Sequence, residues 1–225
     1  MEIFNFRDFV GYLGNGFLLR GAAVTLAMTV ATVIGGMLLG MVVAFMRMSE
    51  HKLLTRAASF YIWVFRGTPL LIQLVIIFTG LPQLGIKLGV VESSLLALVL
   101  NEAAYLSEII RSGFMAVSSG QKEAADSLGL PRWLVVWKVT LPQAFRLMIP
   151  PLGNSINGLL KSTSITSVIS MEELMRRSQL VMQEKFQVLE VFCAAAVFYL
   201  VMTTAWGFVQ ARLEKHFGAS TVRAR

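Results

Sequence analysis

The chain has 225 residues, 56% hydrophobic and 15% charged, with a mean hydropathy of +0.67 and a formal charge of +7. Soluble domains are about a quarter charged, and apolar runs here reach the roughly 20 residues that cross a bilayer. The composition excludes an ordinary soluble domain and defines a polytopic all-α membrane protein of one domain, residues 1–225.

The runs are continuous rather than alternating, which argues against a transmembrane barrel. The N-terminus carries Glu2, Arg7 and Asp8 ahead of Gly11. It lacks the basic patch and short apolar stretch of a cleavable signal peptide. Five spans are expected. The first covers 21–46 and ends at Arg47, Glu50, His51, Lys52 and Arg56. The second covers 57–80 and contains Gly67-Thr68-Pro69; the third covers 93–110 and closes at Arg111.

A polar stretch, 120–142, follows. Glu123-Ala124-Ala125 suits a short helix whose N-terminus favours a nearby carboxylate. Gly129 with Pro131 makes a stop, and Leu141-Pro142 opens the next span. That fourth span, 143–169, contains Pro150-Pro151, Gly153 and Gly158, so an uninterrupted helix is not expected. Residues 172–185 place Leu174, Met175, Leu180, Val181 and Met182 among charges, the pattern of an amphipathic interfacial helix. The fifth span, 188–210, includes Cys193, expected to pack as a small apolar residue. A single cysteine precludes an intrachain disulfide.

Charge orients the spans. The segment after span one carries Arg47, Lys52 and Arg56 against Glu50, net +2. The segment after span three carries Arg111, Lys122, Arg132, Lys138 and Arg146 against Glu123 and Asp126, net +3. The tail carries Arg212, Lys215, Arg223 and Arg225 against Glu214, again +3. The opposite flanks balance, with Glu2 and Asp8 among their acids. A Lys/Arg excess marks the cytoplasmic side, which puts the N-terminus outside and the C-terminus in the cytoplasm. The basic balance thus reflects topology and gives no reason to expect nucleic-acid binding.

The spacing Glu123-Ala124-Ala125, Gly129, Val139, Leu141-Pro142 resembles the EAA motif of permease subunits of binding-protein-dependent ABC importers. Val139 stands where isoleucine is usual. Further segments resemble the polar amino acid branch of that family: Arg66-Gly67-Thr68-Pro69-Leu70-Leu71-Ile72-Gln73-Leu74, Ala104-Tyr105-Leu106-Ser107-Glu108-Ile109-Ile110-Arg111, Pro150-Pro151-Leu152-Gly153-Asn154, Leu159-Leu160-Lys161-Ser162-Thr163-Ser164 and Glu172-Glu173-Leu174. Importers of opines and ectoine-type solutes share these signatures.

The resemblance implies a type I, MetI-like permease fold in a bacterial inner membrane. It implies a coupling element at about 113–142, with Glu123, Ala124, Ala125, Gly129 and Leu130 docking on a cytoplasmic ATPase. It implies a homodimer or paralogous heterodimer, two ABC ATPase subunits and an extracytoplasmic solute-binding protein. No cofactor is expected on this chain; ATP and magnesium belong to the ATPase. Many members carry aspartate at the position of Ser162, so a strictly cationic substrate is less favoured here.

Ionisable groups inside spans are expensive and point to function. Glu102, expected near the outer half of span three, can meet a substrate ammonium or a cationic substrate side chain; a structural pair with Arg66 or an interfacial place is the alternative. Glu108 and Arg111 share a helical face and are expected to pair structurally or to serve the coupling region. Lys161 lies beyond the helix breaks, where irregular backbone can line a cavity; it can hold a substrate carboxylate or snorkel to the interface. Gln73, Asn157 and Ser162 are further candidates for the pathway, with structural hydrogen bonding the alternative for Gln73 and Asn157.

Gly153-Asn154-Ser155-Ile156-Asn157-Gly158 begins like a phosphate loop, but Leu159-Leu160 occupy the places where Lys and Ser/Thr are required. His51 and His216 lack metal-ligand spacing to each other or to Cys193. No nucleophile–base constellation is visible, so the chain is not expected to be an enzyme. The competing class is an autonomous channel or secondary transporter, against which stands the absence of an inverted repeat. A non-transporting scaffold leaves Glu102 and Lys161 unexplained.

Overall fold

The computed structural model describes residues 4–218; of Lys122 only the backbone is described. Glu2, Arg223 and Arg225 of the charge count lie outside the described residues. Those residues form helices and turns with no strand. The first helix, α1 (Phe6–Leu13), is capped by Asn5, whose side chain accepts from the Arg7 and Asp8 amides. Asn15 does the same for Phe17 and Leu18 at the start of α2 (Gly16–Met48). Asparagine suits both places because its short side chain satisfies amides that have no intrahelical partner.

Helix α2 packs along α5 (Val90–Met115). The two run parallel: Gly36 faces Glu102, and Gly40 faces Ala103 and Leu106. A Cβ on Gly36 would lie 3.3 Å from Glu102 Cβ, and one on Gly40 3.1 Å from the Ala103 carbonyl. Small residues at this spacing let two membrane helices approach to backbone distance, and here they fix where Glu102 sits.

Between α2 and α5 the expected second span is broken. Helix α3 (Lys52–Gly67) and the segment beginning with α4 (Leu70–Val75) and running to Leu84 meet at 104°. Gly67-Thr68-Pro69 makes the bend, with Thr68 extended at φ −119° and ψ 146°. A proline disfavours helical backbone in the residue before it. The carbonyls exposed at the end of α3 are satisfied by side chains. Gln73 Nε2 donates to the carbonyls of Phe65 (2.9 Å) and Thr68 (3.1 Å). Asn101 Nδ2 donates to the Phe65 carbonyl (3.1 Å) and to Gln73 Oε1 (3.0 Å).

After the short α6 (Ser119–Ser127), α7 (Arg132–Leu134) and a wide π-type turn (Val135–Thr140) lead into α8 (Leu141–Ser162). Contrary to expectation, α8 runs unbroken through Pro150 and Pro151. The prolines remove two adjacent donors, but α8 packs between α5 and α10 (Val188–Gly218), which hold it helical. Trp206 Nε1 donates to the Gly153 carbonyl at 2.8 Å. The irregular backbone comes later, as tight 3-10 turns over Thr163–Ile169 ending at Ser170 with φ 68°.

Helix α9 (Leu174–Lys185) packs against α2 and α10. Its cap, Glu173, is fully buried and accepts from the Met175 and Arg176 amides, both at 2.9 Å. The same carboxylate accepts from Thr25 Oγ1 on α2 (3.3 Å) and Tyr199 OH on α10 (3.1 Å). One acid therefore ties three helices. Cys193, expected to be packed, is exposed on α10.

By length and composition α2, α5 and α10 are membrane spans, and the bent pair supplies a fourth candidate. Helix α8 is not among them; Gln143, Arg146, Asn154, Asn157 and Lys161 lower its hydropathy, although its 22 residues reach about 33 Å. The Asn5 amide meets Glu190 at the start of α10 (2.7 Å). Phe145 stacks edge-on against Phe217 at its other end, 5.3 Å between ring centroids. The described chain thus begins and finishes at opposite ends of the bundle, as an odd number of crossings requires.

Candidate functional site

Two places concentrate polar chemistry. The first is a cavity of about 530 Å³ formed where the α3–α4 bend faces α5 and α8. Its walls include Arg66, Gly67 and Thr68 from the bend, Asn101, Glu102 and Tyr105 from α5, and Ser155 and Ser162 from α8. The volume falls in the range of small-molecule sites, about 300–1,000 Å³.

Glu102 is the thirteenth of the 26 residues of α5, at its midpoint rather than toward one end. It is 6% exposed, and its Oε1 accepts from Ser155 Oγ at 2.6 Å. The alternative of a structural pair with Arg66 is not realised: no carboxylate lies within 4.0 Å of Arg66 among the described residues. Its guanidinium lies instead over the Tyr105 ring, 5.1 Å from the centroid. Glu108 and Arg111 pair as expected, with two hydrogen bonds of 3.0 and 2.8 Å.

The other sequence candidates divide. Ser162 lines the cavity, its Oγ donating to the Gly158 carbonyl at 3.2 Å. Gln73 lies behind the wall, buried and engaged in the bend. Asn157 and Lys161 are not on the wall, and Lys161 is exposed at the end of α8. Tyr105 and Ser155 are wall residues that motif reading had not singled out as contacts. Their spacing, three residues from Glu102 for Tyr105, was the available signal.

A second cavity of about 480 Å³ lies between α2, α8 and α10. Its polar side chains are engaged: Thr29 Oγ1 donates to the Thr25 carbonyl and Trp206 Nε1 to Gly153. It offers little to recognise a polar solute.

The second polar place is α6 and its exit. Gly129 has φ +67°; its amide donates to the Asp126 carbonyl (2.9 Å), and the Leu130 amide reaches the Ala125 carbonyl (3.2 Å). These two bonds are a Schellman closure, which requires a left-handed residue at the place of Gly129. Ala125 faces inward and is buried, whereas Glu123 and Ala124 are exposed. Glu123 sits in the second turn, not the first, so the helix dipole contributes little to it. Leu128, absent from the sequence candidates, is 78% exposed beside them.

A bundle of membrane spans enclosing a polar cavity, with a separately closed short helix outside it, defines a multi-pass membrane permease. Residues 36–218 match the family described as "Binding-protein-dependent transport system inner membrane component", and the chain belongs to that family. It is 38% identical over 200 residues to the putative glutamine transport system permease protein GlnP of Rickettsia conorii, covering 88% of this chain and 92% of that one. It is equally identical, 38% over 200 residues, to the arginine transport system permease protein ArtQ of Bacillus subtilis, covering 88% and 91%. In a solved structure titled "Crystal structure of an amino acid ABC transporter with histidines", one chain superposes with a TM-score of 0.88 at 36% identity, covering 94% of this chain and 98% of that one.

The chain is therefore a multi-pass inner-membrane permease subunit of an ABC importer. Such a subunit is not itself catalytic; the ATPase is a separate subunit with which it works.

Proposed function

We propose that this chain carries a polar amino acid or a related zwitterion of the opine or ectoine type into the cytoplasm through the cavity around Glu102. The observation that carries the reading is a buried carboxylate at the midpoint of α5 facing a polar cavity. A carboxylate at membrane depth is expensive unless it serves a pathway, and an ammonium group is its natural complement. Ser155 and Ser162 supply neutral hydrogen-bonding capacity on the facing helix. The names of the relatives, permeases for glutamine and arginine, agree with an amino acid substrate.

In this reading the N-terminus is outside and the C-terminus cytoplasmic, as the Lys/Arg excess indicates. The coupling segment 113–142 presents α6, with Glu123 and Ala124 outward and Ala125, Gly129 and Leu130 holding its shape. Two ATPase subunits, which bind ATP and magnesium, dock there. A second copy or a paralogue completes the pathway, and a soluble binding protein delivers substrate from outside. Closure of the ATPase pair moves α6 and rocks the bundle.

The test is Glu102→Gln in the complete complex reconstituted into proteoliposomes. Initial ATP-driven uptake of labelled substrate is expected to fall about tenfold or more, because an ion pair at the cavity is lost. Unchanged transport with unchanged substrate preference rejects the assignment.

A further inference from the structure

Helix α8 carries a second stripe besides the one that faces Glu102. Ser155, Gly158 and Ser162 line the polar cavity. Ile149, Gly153, Ile156 and Leu160, at spacings of three and four residues, line the other side of the helix. There the apolar cavity of about 480 Å³ continues into a smaller one of about 150 Å³, and Ile156 and Trp206 belong to both walls. The two make one groove along α8 between α2 and α10. On α10 it extends from Val201 to Phe217, about 24 Å at the helical rise. One leaflet of the hydrocarbon core is about 15 Å deep, so an acyl chain fits lengthwise. The polar side chains of the groove are satisfied within the protein. Thr29 Oγ1 donates to the Thr25 carbonyl, Trp206 Nε1 to the Gly153 carbonyl and Gln210 Nε2 to Glu214 Oε1, each at 2.8 Å.

Positive charge gathers where the groove ends, at Phe145 and Phe217. Arg146 follows Phe145 on α8, and Arg212 and Lys215 precede Phe217 on α10; all three are exposed. Glu214 lies among them and is engaged by Gln210. Neither Arg212 nor Lys215 has a carboxylate within 4.0 Å among the described residues. We propose that the groove binds an acidic phospholipid, with one acyl chain along α8 and the phosphate-bearing headgroup at Arg146, Arg212 and Lys215. An apolar slot between membrane helices with a basic rim at the bilayer surface favours anionic headgroups. A second permease copy is the poorer occupant, because the pathway it would complete lies across α8, on the side of Ser155 and Ser162. In the orientation proposed above the rim is cytoplasmic and the lipid belongs to the inner leaflet. The site itself stands whether or not the cavity around Glu102 carries substrate.

The experiment uses the purified permease–ATPase complex and phosphatidylglycerol that carries a photoreactive group in its acyl chain. After illumination the labelled peptides are mapped, with unlabelled phosphatidylglycerol or phosphatidylcholine as competitor. Labelling is expected to concentrate on the groove residues of α8 and α10. Phosphatidylglycerol is expected to displace it at about tenfold or more lower concentration than phosphatidylcholine, as a rim of several cations implies. Arg212→Gln combined with Lys215→Gln is expected to cut that preference at least about fivefold, which is about the worth of one cation beside an anionic headgroup. Ala205→Phe places a ring in the groove and is expected to abolish labelling there.

Labelling as dense on exposed residues of α3 such as Phe60 and Trp63 as in the groove overturns the site, because lipid then only coats the bundle. Equal displacement by the two lipids, or an unchanged preference in the double variant, overturns the headgroup assignment. Undiminished groove labelling in Ala205→Phe overturns the place of the acyl chain. A groove left unlabelled in the wild type, with a second permease chain cross-linked across it, gives the surface to that chain and overturns the proposal. The mapping and the lipid comparison need no variant, so they decide the question even if a substituted chain fails to assemble.

Discussion

Replacing Gly129 tests the proposed coupling role of α6 separately from the cavity. At φ +67° the glycine occupies the left-handed region, and a Cβ placed there would touch nothing within 4 Å. Any penalty is therefore backbone strain rather than a clash. For an L-residue it is about 1–2 kcal/mol, with a β-branched side chain at the upper end. Among the described side chains of α6 only Ala125 is buried, so packing offers little to absorb that strain. The strain acts on the Gly129–Asp126 and Leu130–Ala125 bonds that close the helix. About 2 kcal/mol corresponds to roughly thirtyfold in the population of the closed form. The assay is initial ATP-driven uptake by the complete complex in proteoliposomes, with binding of substrate to the purified complex as control. Gly129→Val is expected to lower uptake about tenfold or more with binding intact, whereas Gly129→Asn retains most of it, because asparagine tolerates the left-handed region. Uptake by the valine variant at the wild-type rate refutes the reasoning, as does an asparagine variant that falls equally far.

Three further outcomes follow from packing and burial. Gly36→Leu forces α2 away from Glu102 Cβ, 3.3 Å from the added carbon, and is expected to destabilise the protein by about 1–3 kcal/mol, read as a lower midpoint of thermal unfolding in detergent. Gln73→Leu strips the side-chain donor from the Thr68 carbonyl and leaves the Phe65 carbonyl to Asn101 alone; about 1–3 kcal/mol is expected for the group left unsatisfied, and an unchanged melting midpoint would remove Gln73 from the bend's support. Burial pushes the Glu173 carboxyl above its usual range, against hydrogen bonds from Met175, Arg176, Tyr199 and Thr25. A raised folded value means its contribution is fully present below the unfolded value and is lost as pH rises through the folded one. Melting midpoints should therefore fall with rising pH over that window, and Glu173→Gln should flatten the fall; an equally steep profile in the variant assigns the dependence elsewhere.

The two polar places differ in what holds them. The cavity is built by backbone that departs from helix: the bend at Gly67-Thr68-Pro69 exposes the end of α3, and Gln73 behind the wall and Asn101 on it satisfy its carbonyls. Such backbone is tolerated inside a membrane only where it is buried in protein or lines a cavity, and this bend lines one. Helix α6, the proposed coupling element, needs no such support because its closure is local, within six residues from Ala125 to Leu130. Motion of α6 can therefore be transmitted without remaking its own hydrogen bonds.

That contrast also explains what could be read from the sequence. Local features were legible. Gly129 stops α6 because a left-handed residue is written into the sequence, and Glu108 pairs with Arg111 because three residues on a helix set the distance. The apolar runs gave α2, α5 and α10 for the same reason, since hydropathy is a property of consecutive residues. Features that depend on which segments meet were not legible. Pro150-Pro151 predicts a break in an isolated helix, yet α5 and α10 hold α8 helical through it. Lys161 and Ser162 are neighbours, but consecutive residues on a helix point about 100° apart, so only Ser162 reaches the cavity. Arg66 could be noticed as a charge in a span, while its place on the cavity wall required knowing that α3 ends against Tyr105. Glu102 could be found from its cost alone; its hydrogen bond from Ser155 depends on α5 meeting α8, which only the fold supplies.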